Sequence, residues 1–362
     1  MARFDDLQEH VVMEILLRLP ADSLVQFKCV SKSWYALISD LAFVAKHLHY
    51  TKKKSQYESL LFGRHCGEIN GYRLSLLPSF VDNGENYIIR PVVEDLNVPL
   101  TEYGDARITE WANICHCDGM VFLQSEDFWN PIDIMVSNDY KIVSYDGVDV
   151  QIHTLGTESW REINTSQDIP MPSQYGYLNS NGVCYWAMTT NSSTRKSVVL
   201  CFDMHDETFH VVPFSNEATN FKDVSCAMWN GKFSLFLNSS KADDYRVENP
   251  KFHSTFEMWV MDFDTYEGVN GGCPWTKHLV IGPLGPFEGP LTPIKFSNDD
   301  ELILWTGRSR KFRTYNLHTQ KVRSIETDGD TLFICCLYVK SLVSIEGTGV
   351  LTRELKRNGE DG

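Results

Sequence analysis

Apolar side chains in the first fifty residues recur at helical intervals. Val12, Ile15, Leu16 and Leu19 stand at i, i+3, i+4 and i+7, and Trp34, Leu37, Ile38 and Leu41 repeat that spacing, so each set lies along one face of a helix. Pro20 stops the first helix. Asp22 or Ser23 is placed to cap a short second one carrying Leu24, Val25, Phe27 and Cys29, and Ser31 to cap the third. The pattern predicts a three-helix module over residues 1–50. A unit this small has too little interior to bury all of its apolar side chains, so it needs a partner surface.

A polar, Lys-rich run, "HYTKKKSQYES", follows and reads as a linker over 51–60 or as the first surface turn of the next unit. Beyond it the period changes to two. Segments such as "DVQIHTL", "GVCYWAM", "KFSLFLN", "ELILWTG" and "TLFICCLYV" alternate, and turn dipeptides including Asn181-Gly182, Asn230-Gly231 and Asn270-Gly271 separate them. The unit strand, polar turn, strand returns near residues 150, 199, 258 and 312, a spacing in the range of β-propeller blades. Radial closure protects strand edges, and residues 61–350 would make about six or seven blades. A two-sheet sandwich is the runner-up, and it would not produce the repeat. Residues 351–362 form a polar tail. The chain is thus expected to be mainly β with a small α N-terminal module.

Composition limits the partners. The formal net charge is −15, and the first fifty residues hold only 5 basic and 6 acidic side chains of totals of 33 and 48, so nearly all the acidic excess lies in the β region. That disfavours nucleic acid, which demands a cationic face, and favours a basic protein partner through long-range attraction. No run of 18 apolar residues suggests a membrane span, and Asp5, Asp6 and Glu9 stand where a secretory signal would be basic and then apolar. The cytosol or nucleus is expected. There the ten cysteines read as reduced thiols, and the sequons at Asn164, Asn191 and Asn238 as accidental.

Residues 7–48, "LQEHVVMEILLRLPADSLVQFKCVSKSWYALISDLAFVAKHL", resemble the F-box, the helical module that docks a substrate receptor onto the adaptor of cullin-RING ubiquitin ligases. The likeness is carried by Val12, Glu14, Ile15, Leu16, Arg18 to Pro20, Ser23, Leu24, Phe27 to Val30, Lys32, Trp34, Leu37 and Ile38. It departs at Gln8, where the family carries Pro. "CHCDGMVFL", "LGTESWREI", "LCFDMHDETFHVVP", "WTKHLVIGPL" and "PLTPIKF" resemble the F-box associated domain of plant F-box proteins, most closely the S-locus F-box group, with a shortened blade near 125–150. The resemblance implies a three-helix F-box followed by a propeller-like domain. It also implies a Skp-type adaptor bound by Leu7, Val12, Ile15, Leu16, Leu19, Pro20, Leu24, Val30, Trp34 and Leu37, and through it a cullin-RING ligase. The implied target is a basic protein, an S-RNase in the pollen tube cytosol, with the substrate-binding residues unassigned.

Catalytic and metal chemistry have little support. Cys115 and Cys117 in "CHCDG" are alternate strand residues with no second Cys/His pair at zinc-site spacing. "GPLGPFEGP" is glycine-rich, but Pro283, Pro286 and Pro290 each remove an N–H that a phosphate cradle would use, so a rigid loop is expected. No Gly-x-Ser-x-Gly or His-Glu-x-x-His places a nucleophile or a metal. Trp186, Trp229, Trp259, Trp275 and Trp305 read mostly as core, with one or two available to a binding face. The expectation is a non-enzymatic substrate receptor without cofactor. The alternative is a non-docking structural or regulatory protein, prompted by Gln8 and the short blade.

Overall fold

The computed structural model describes residues 9–52, 58–66, 71–78, 88–89, 94–96, 111–117, 120–125, 135–136, 141–145, 150–154, 159–163, 177–180, 182–189, 197–214, 224–244, 246–262, 275–298, 300–327 and 330–343. Four helices lead, one more than the hydrophobic spacing predicts: α1 (Glu9–Leu16), α2 (Ala21–Phe27), α3 (Lys32–Ser39) and α4 (Leu41–Lys52). The fourth is created by Asp40. Its backbone is extended (ψ 130°), and its Oδ1 accepts the N–H groups of Ala42 and Phe43, each at 3.0 Å, which ends one helix and caps the next. Leu41, counted in the stripe of the third helix, therefore starts α4. Ser31 caps α3 as expected, accepting from the Trp34 N–H at 3.1 Å, whereas α2 has Pro20 at its N-cap and no side-chain cap from Asp22 or Ser23.

The strands then follow in order. β1 (Glu58–Cys66), β2 (Gly71–Pro78), β3 (Ile88–Ile89) and β4 (Glu94–Asp95) precede the hairpin β5 (Trp111–Cys117) and β6 (Met120–Ser125). Next come β7 (Met135–Val136), β8 (Lys141–Tyr145), β9 (Val150–Thr154) and β10 (Trp160–Ile163), then β11 (Tyr177–Ser180), β12 (Val183–Thr189), β13 (Ser197–Asp203) and β14 (Thr208–Pro213). The longest strands belong to β15 (Val224–Trp229), β16 (Lys232–Ala242), β17 (Phe252–Met261) and β18 (Trp275–Phe287). Last are β19 (Leu291–Asn298), β20 (Glu301–Thr306), β21 (Lys311–Asn316), β22 (Val322–Ile325) and β23 (Asp330–Val339).

The runs β7 to β10, β11 to β14 and β15 to β18 each form a four-stranded antiparallel sheet, and β23-β1-β2-β4 form a fourth. The expected six to seven blades are corrected. Among the described residues the structure holds a propeller arrangement of four four-stranded blades, and the other described strands form the five-stranded sheet β19-β20-β21-β22-β3 and the ribbon β5-β6. The repeat misled because strand, turn and strand recur without every unit filling out to four strands. β7 is two residues long, in the segment that the sequence marks as short. Consecutive innermost strands touch, β15 lying against β11 on one side and β19 on the other. The predicted Asn230-Gly231 turn is present, with φ of 49° and 73°, the two left-handed residues that a tight hairpin turn requires.

The "GPLGPFEGP" stretch is also corrected: residues 282–287 lie within β18, not in a loop. As the outermost strand of its sheet, β18 can carry Pro283 and Pro286 without losing ladder hydrogen bonds on its open side. Gly282 (φ 109°) and Gly285 (φ 144°) sit where the register against β17 shifts, and a Cβ on either would come within 2.5 Å of a β17 carbonyl oxygen, Ser254 or Phe252.

The chain's last described strand holds both ends of the fold together. β23 pairs with β1 from Glu58↔Val339 to His65↔Asp330, and the residues after it turn onto the helices. Leu342 is buried with Leu16, Leu17, Ala21, Leu24, Ile38 and Phe43 in the core of the helical module. Lys340 Nζ donates to Asp22 Oδ2 of α2 at 2.6 Å and to Glu94 of β4 at 2.7 and 2.8 Å. The clustered carboxylates outweigh desolvation and raise the lysine above its ordinary value. Leu342→Ala is expected to destabilise the protein by about 2–3 kcal/mol in urea unfolding, the usual cost of emptying a leucine site in a core.

A second link joins neighbouring blades. The Glu207 carboxylate, in the turn between β13 and β14, accepts from Arg161 of β10 and from Lys141 of β8, the latter at 2.8 Å. The hydrogen bond from Arg161 is the main cause that holds Glu207 below the ordinary carboxylate value of 4.5. A lowered folded pKa stabilises above the unfolded value and is lost as pH falls through the folded one. In acid titration of stability, the difference between wild type and Glu207→Gln should be constant above about pH 5.5 and shrink below pH 4.5.

Candidate functional site

The helical module divides its apolar residues between two roles. Leu16 (1% exposed) and Leu24 (0%) are closed in its own core, joined there by Leu342 from the β domain. Val12, Leu19, Trp34 and Leu37 are half-buried against that core, while Ile15, Pro20 and Val30 are exposed; Leu7 lies outside the described residues. Of the ten residues singled out from the sequence, the structure thus leaves three fully presented and four partly so. Val25, Tyr35 and Leu41 are exposed as well, at 53%, 57% and 84%, and sequence reasoning missed them. The signal was there for two of them. Val25 follows a stripe residue, and Tyr35 follows Trp34, positions that helical geometry turns away from the core face.

Val30, Trp34 and Tyr35 lie at or just after the turn from α2 to α3. Trp34 meets Phe27 edge to face with ring centroids 5.5 Å apart, and the Lys28 ammonium lies 5.9 Å from the Tyr35 ring centroid. Val30, 62% exposed, stands between the two helices, and its N–H is tied back to the Phe27 carbonyl at 3.0 Å, which fixes the turn. The result is a rigid patch of Phe, Trp, Tyr and Val edged by lysine, the composition of a protein-binding surface. Behind it, His47 is wholly buried, with Nε2 2.9 Å from the Leu19 carbonyl and its ring stacked on Phe43. Burial lowers its pKa, outweighing the hydrogen bond that Nε2–H donates to the Leu19 carbonyl.

The β domain supplies no catalytic constellation among its described residues. Burial pushes the Cys201 thiol up to about 12 and the Cys226 thiol upward too, the opposite of an activated nucleophile. Cys115 and Cys117 fall two apart on β5, and among the described residues no group of three His, Cys, Asp or Glu side chains could hold a metal ion. Trp186 and Trp275 are buried, and Trp229, Trp259 and Trp305 half-buried. A groove runs over the far end of the β16–β17 hairpin, lined by Ser239, Lys241, Asp243, His253, Thr255 and Glu257 among others. No described helix is long and apolar enough to cross a membrane.

Comparison with known proteins agrees with this division. Residues 4–46 match the F-box domain, and residues 134–333 match the F-box associated beta propeller domain. Two F-box proteins of Arabidopsis thaliana are 23% and 25% identical, each over 94% of this chain and 99% of its own length. A third from the same plant is 28% identical over 56% of this chain and 62% of its own. Among solved structures, virginiamycin B lyase from Staphylococcus aureus aligns over 75% of this chain and 71% of its own with 9% identity and a TM-score of 0.32, too low to bear on function.

The two classes of apolar residue should separate on substitution. Leu24→Ala is expected to cost about 3 kcal/mol in denaturant unfolding, and Val30→Ala less than about 0.5 kcal/mol because its side chain already faces solvent.

Proposed function

Because this chain belongs to the family of the F-box associated β-propeller domain and carries an F-box ahead of it, we propose that it is the substrate-receptor subunit of an SCF-type cullin-RING ubiquitin ligase. The observation that carries this reading is the exposed apolar patch at the turn from α2 to α3, on a helical module whose own core is filled by Leu342 from the β domain. Ile15, Pro20, Val30, Trp34 and Leu37, joined by Val25 and Tyr35, form the docking surface for a Skp-type adaptor. Leu16 and Leu24 shape it from behind. The chain does no chemistry itself; it holds a protein target beside the ubiquitin-carrying subunits, and proximity supplies the rate.

The target is a basic protein, drawn to a chain of net charge −15. The S-locus resemblance names S-RNases as candidates, and the Arabidopsis relatives carry no such target in their names, so this assignment rests on charge and sequence likeness. The same reading puts the protein in the cytosol or nucleus, where these ligases assemble.

Co-purification with the adaptor and cullin tests the proposal. The full chain is expected to retain the adaptor, and Val30→Asp with Tyr35→Asp to weaken retention at least about tenfold, a loss of 1.4 kcal/mol, at unchanged thermal stability. Absence of adaptor binding, with recovery on Gln8→Pro, would instead favour a receptor-like protein that no longer docks. For the target, pull-down against a panel of S-RNases should show binding that weakens with salt, and uniform lack of binding at low salt removes that assignment.

A further inference from the structure

The helices α3 and α4 carry their own start signals and α2 does not. Ser31 caps α3 and Asp40 caps α4 through side-chain oxygens, but α2 begins after Pro20 with no side-chain cap. It is seven residues long. A helix this short is marginal alone, and without a cap its first N–H groups gain nothing locally, so its order depends on tertiary contacts.

Those contacts include a segment from the other end of the chain. β23 finishes at Val339, opposite Glu58 of β1, and the next four residues turn onto α2. The Ser341 hydroxyl accepts the Val343 N–H at 3.1 Å, which closes a tight turn around Leu342. Among the described residues, Leu342 is the one β-domain side chain in the helical core, and Ala21 and Leu24, the buried face of α2, are in that core with it. On the exposed side of the same helix, Asp22 is held by Lys340, 318 positions downstream. The apolar tie is the stronger of the two. Asp22 and Glu94, the partners of Lys340, are 64% and 54% exposed, and ion pairs so open to water contribute less than a buried leucine.

The docking residues adjoin what this segment holds. Pro20 precedes Ala21, Val25 follows Leu24, and the Val30 N–H is bonded to the carbonyl of Phe27, the last residue of α2. Resting on the receptor reading above, we propose that residues 340–343 are a strap that makes adaptor docking conditional on closure of the β domain. Pairing of β23 with β1 brings Leu342 and Lys340 to α2, and the ordered helix sets Pro20, Val25 and Val30 in place on the docking surface. Until then the helical module, complete in sequence, lacks one residue of its core. A chain whose last strand is unpaired offers the adaptor no ordered α2, so ligase assembly selects receptors whose β domain is closed. The coupling is reciprocal: an adaptor that binds the ordered helix also holds the strap in place.

The test follows amide hydrogen exchange and adaptor affinity in the full chain. Leu342→Asp is expected to speed exchange in α2 at least about tenfold and to weaken adaptor binding by a similar factor, because apparent affinity falls with the docking-competent fraction. The strands β12, β13, β16 and β17 should keep their protection. Leu342→Met, which conserves volume, should stay within about twofold of wild type in both readouts. Lys340→Glu leaves the core filled and should weaken binding about threefold. Adaptor added to wild type should slow exchange at residues 340–343 as well as in α2. Wild-type adaptor affinity in Leu342→Asp, unchanged exchange in α2, or no protection of the strap by bound adaptor overturns the proposal. Should Leu342→Asp loosen the β strands too, Lys340→Glu decides, and wild-type exchange in α2 of that variant overturns it. If wild type holds no adaptor, the receptor reading falls by itself, because exchange in α2 tests the strap without it.

Discussion

Much of this structure depends on one stretch of chain, the ten residues of β23 and the four that follow. β23 supplies the inner strand of the blade begun by β1, so the first and last described strands of the β domain are hydrogen-bonded to each other. Its continuation places Leu342 in the core of the helical module and Lys340 between Asp22 and Glu94. Closure of the sheet and completion of the F-box core are consecutive acts of the same segment. A module with so few residues of its own completes its interior by borrowing a side chain some three hundred positions away, which leaves its outer apolar residues available to another protein.

The division of labour follows. The helices present aromatic and aliphatic side chains held by a short turn, and the β domain presents mostly polar side chains, with Val247 and Val280 among its exposed apolar ones. Glu207, reaching from one blade to Lys141 and Arg161 of its neighbour, and Glu301 with Arg323, paired within the last sheet, tie the β region together with charges that are partly shielded from water, Arg161 being about half exposed. Partial burial is what gives such links weight, since exposed pairs contribute little.

The helical period of residues 12–41, the change to period two and the Asn-Gly turn were all legible in the sequence, because each depends on side chains a few positions apart. The fourth helix was legible in principle from Asp40, whose cap outweighs the continuity of the apolar stripe. The blade count was not. Whether a strand becomes the third or fourth of a blade, or pairs elsewhere as β3 does with β22, is decided by contacts distant in sequence. Leu342 gave no local signal either, since "KSLVSI" reads like any strand end. Pro283 and Pro286 suggested a loop because proline opposes pairing in general, and only the position of β18 at the sheet margin makes them compatible with a strand.

The anchoring of the helices by Leu342 and Lys340 also bears on reach. A receptor joined to its ligase by a slack tether would let a target wander, and any lysine on its surface could meet the ubiquitin-carrying subunit. Here Leu342 and Lys340 join the helices to the β domain by a packed contact, so the separation between the docking helices and the far rim of the propeller is set by strand length rather than by chain flexibility. Eleven residues of β16, at about 3.3 Å each, span roughly 36 Å, and in the receptor proposed above that fixed span would make choice of the modified lysine a matter of geometry. The target would then be marked at whichever lysine stands at the right height, not at the most reactive one.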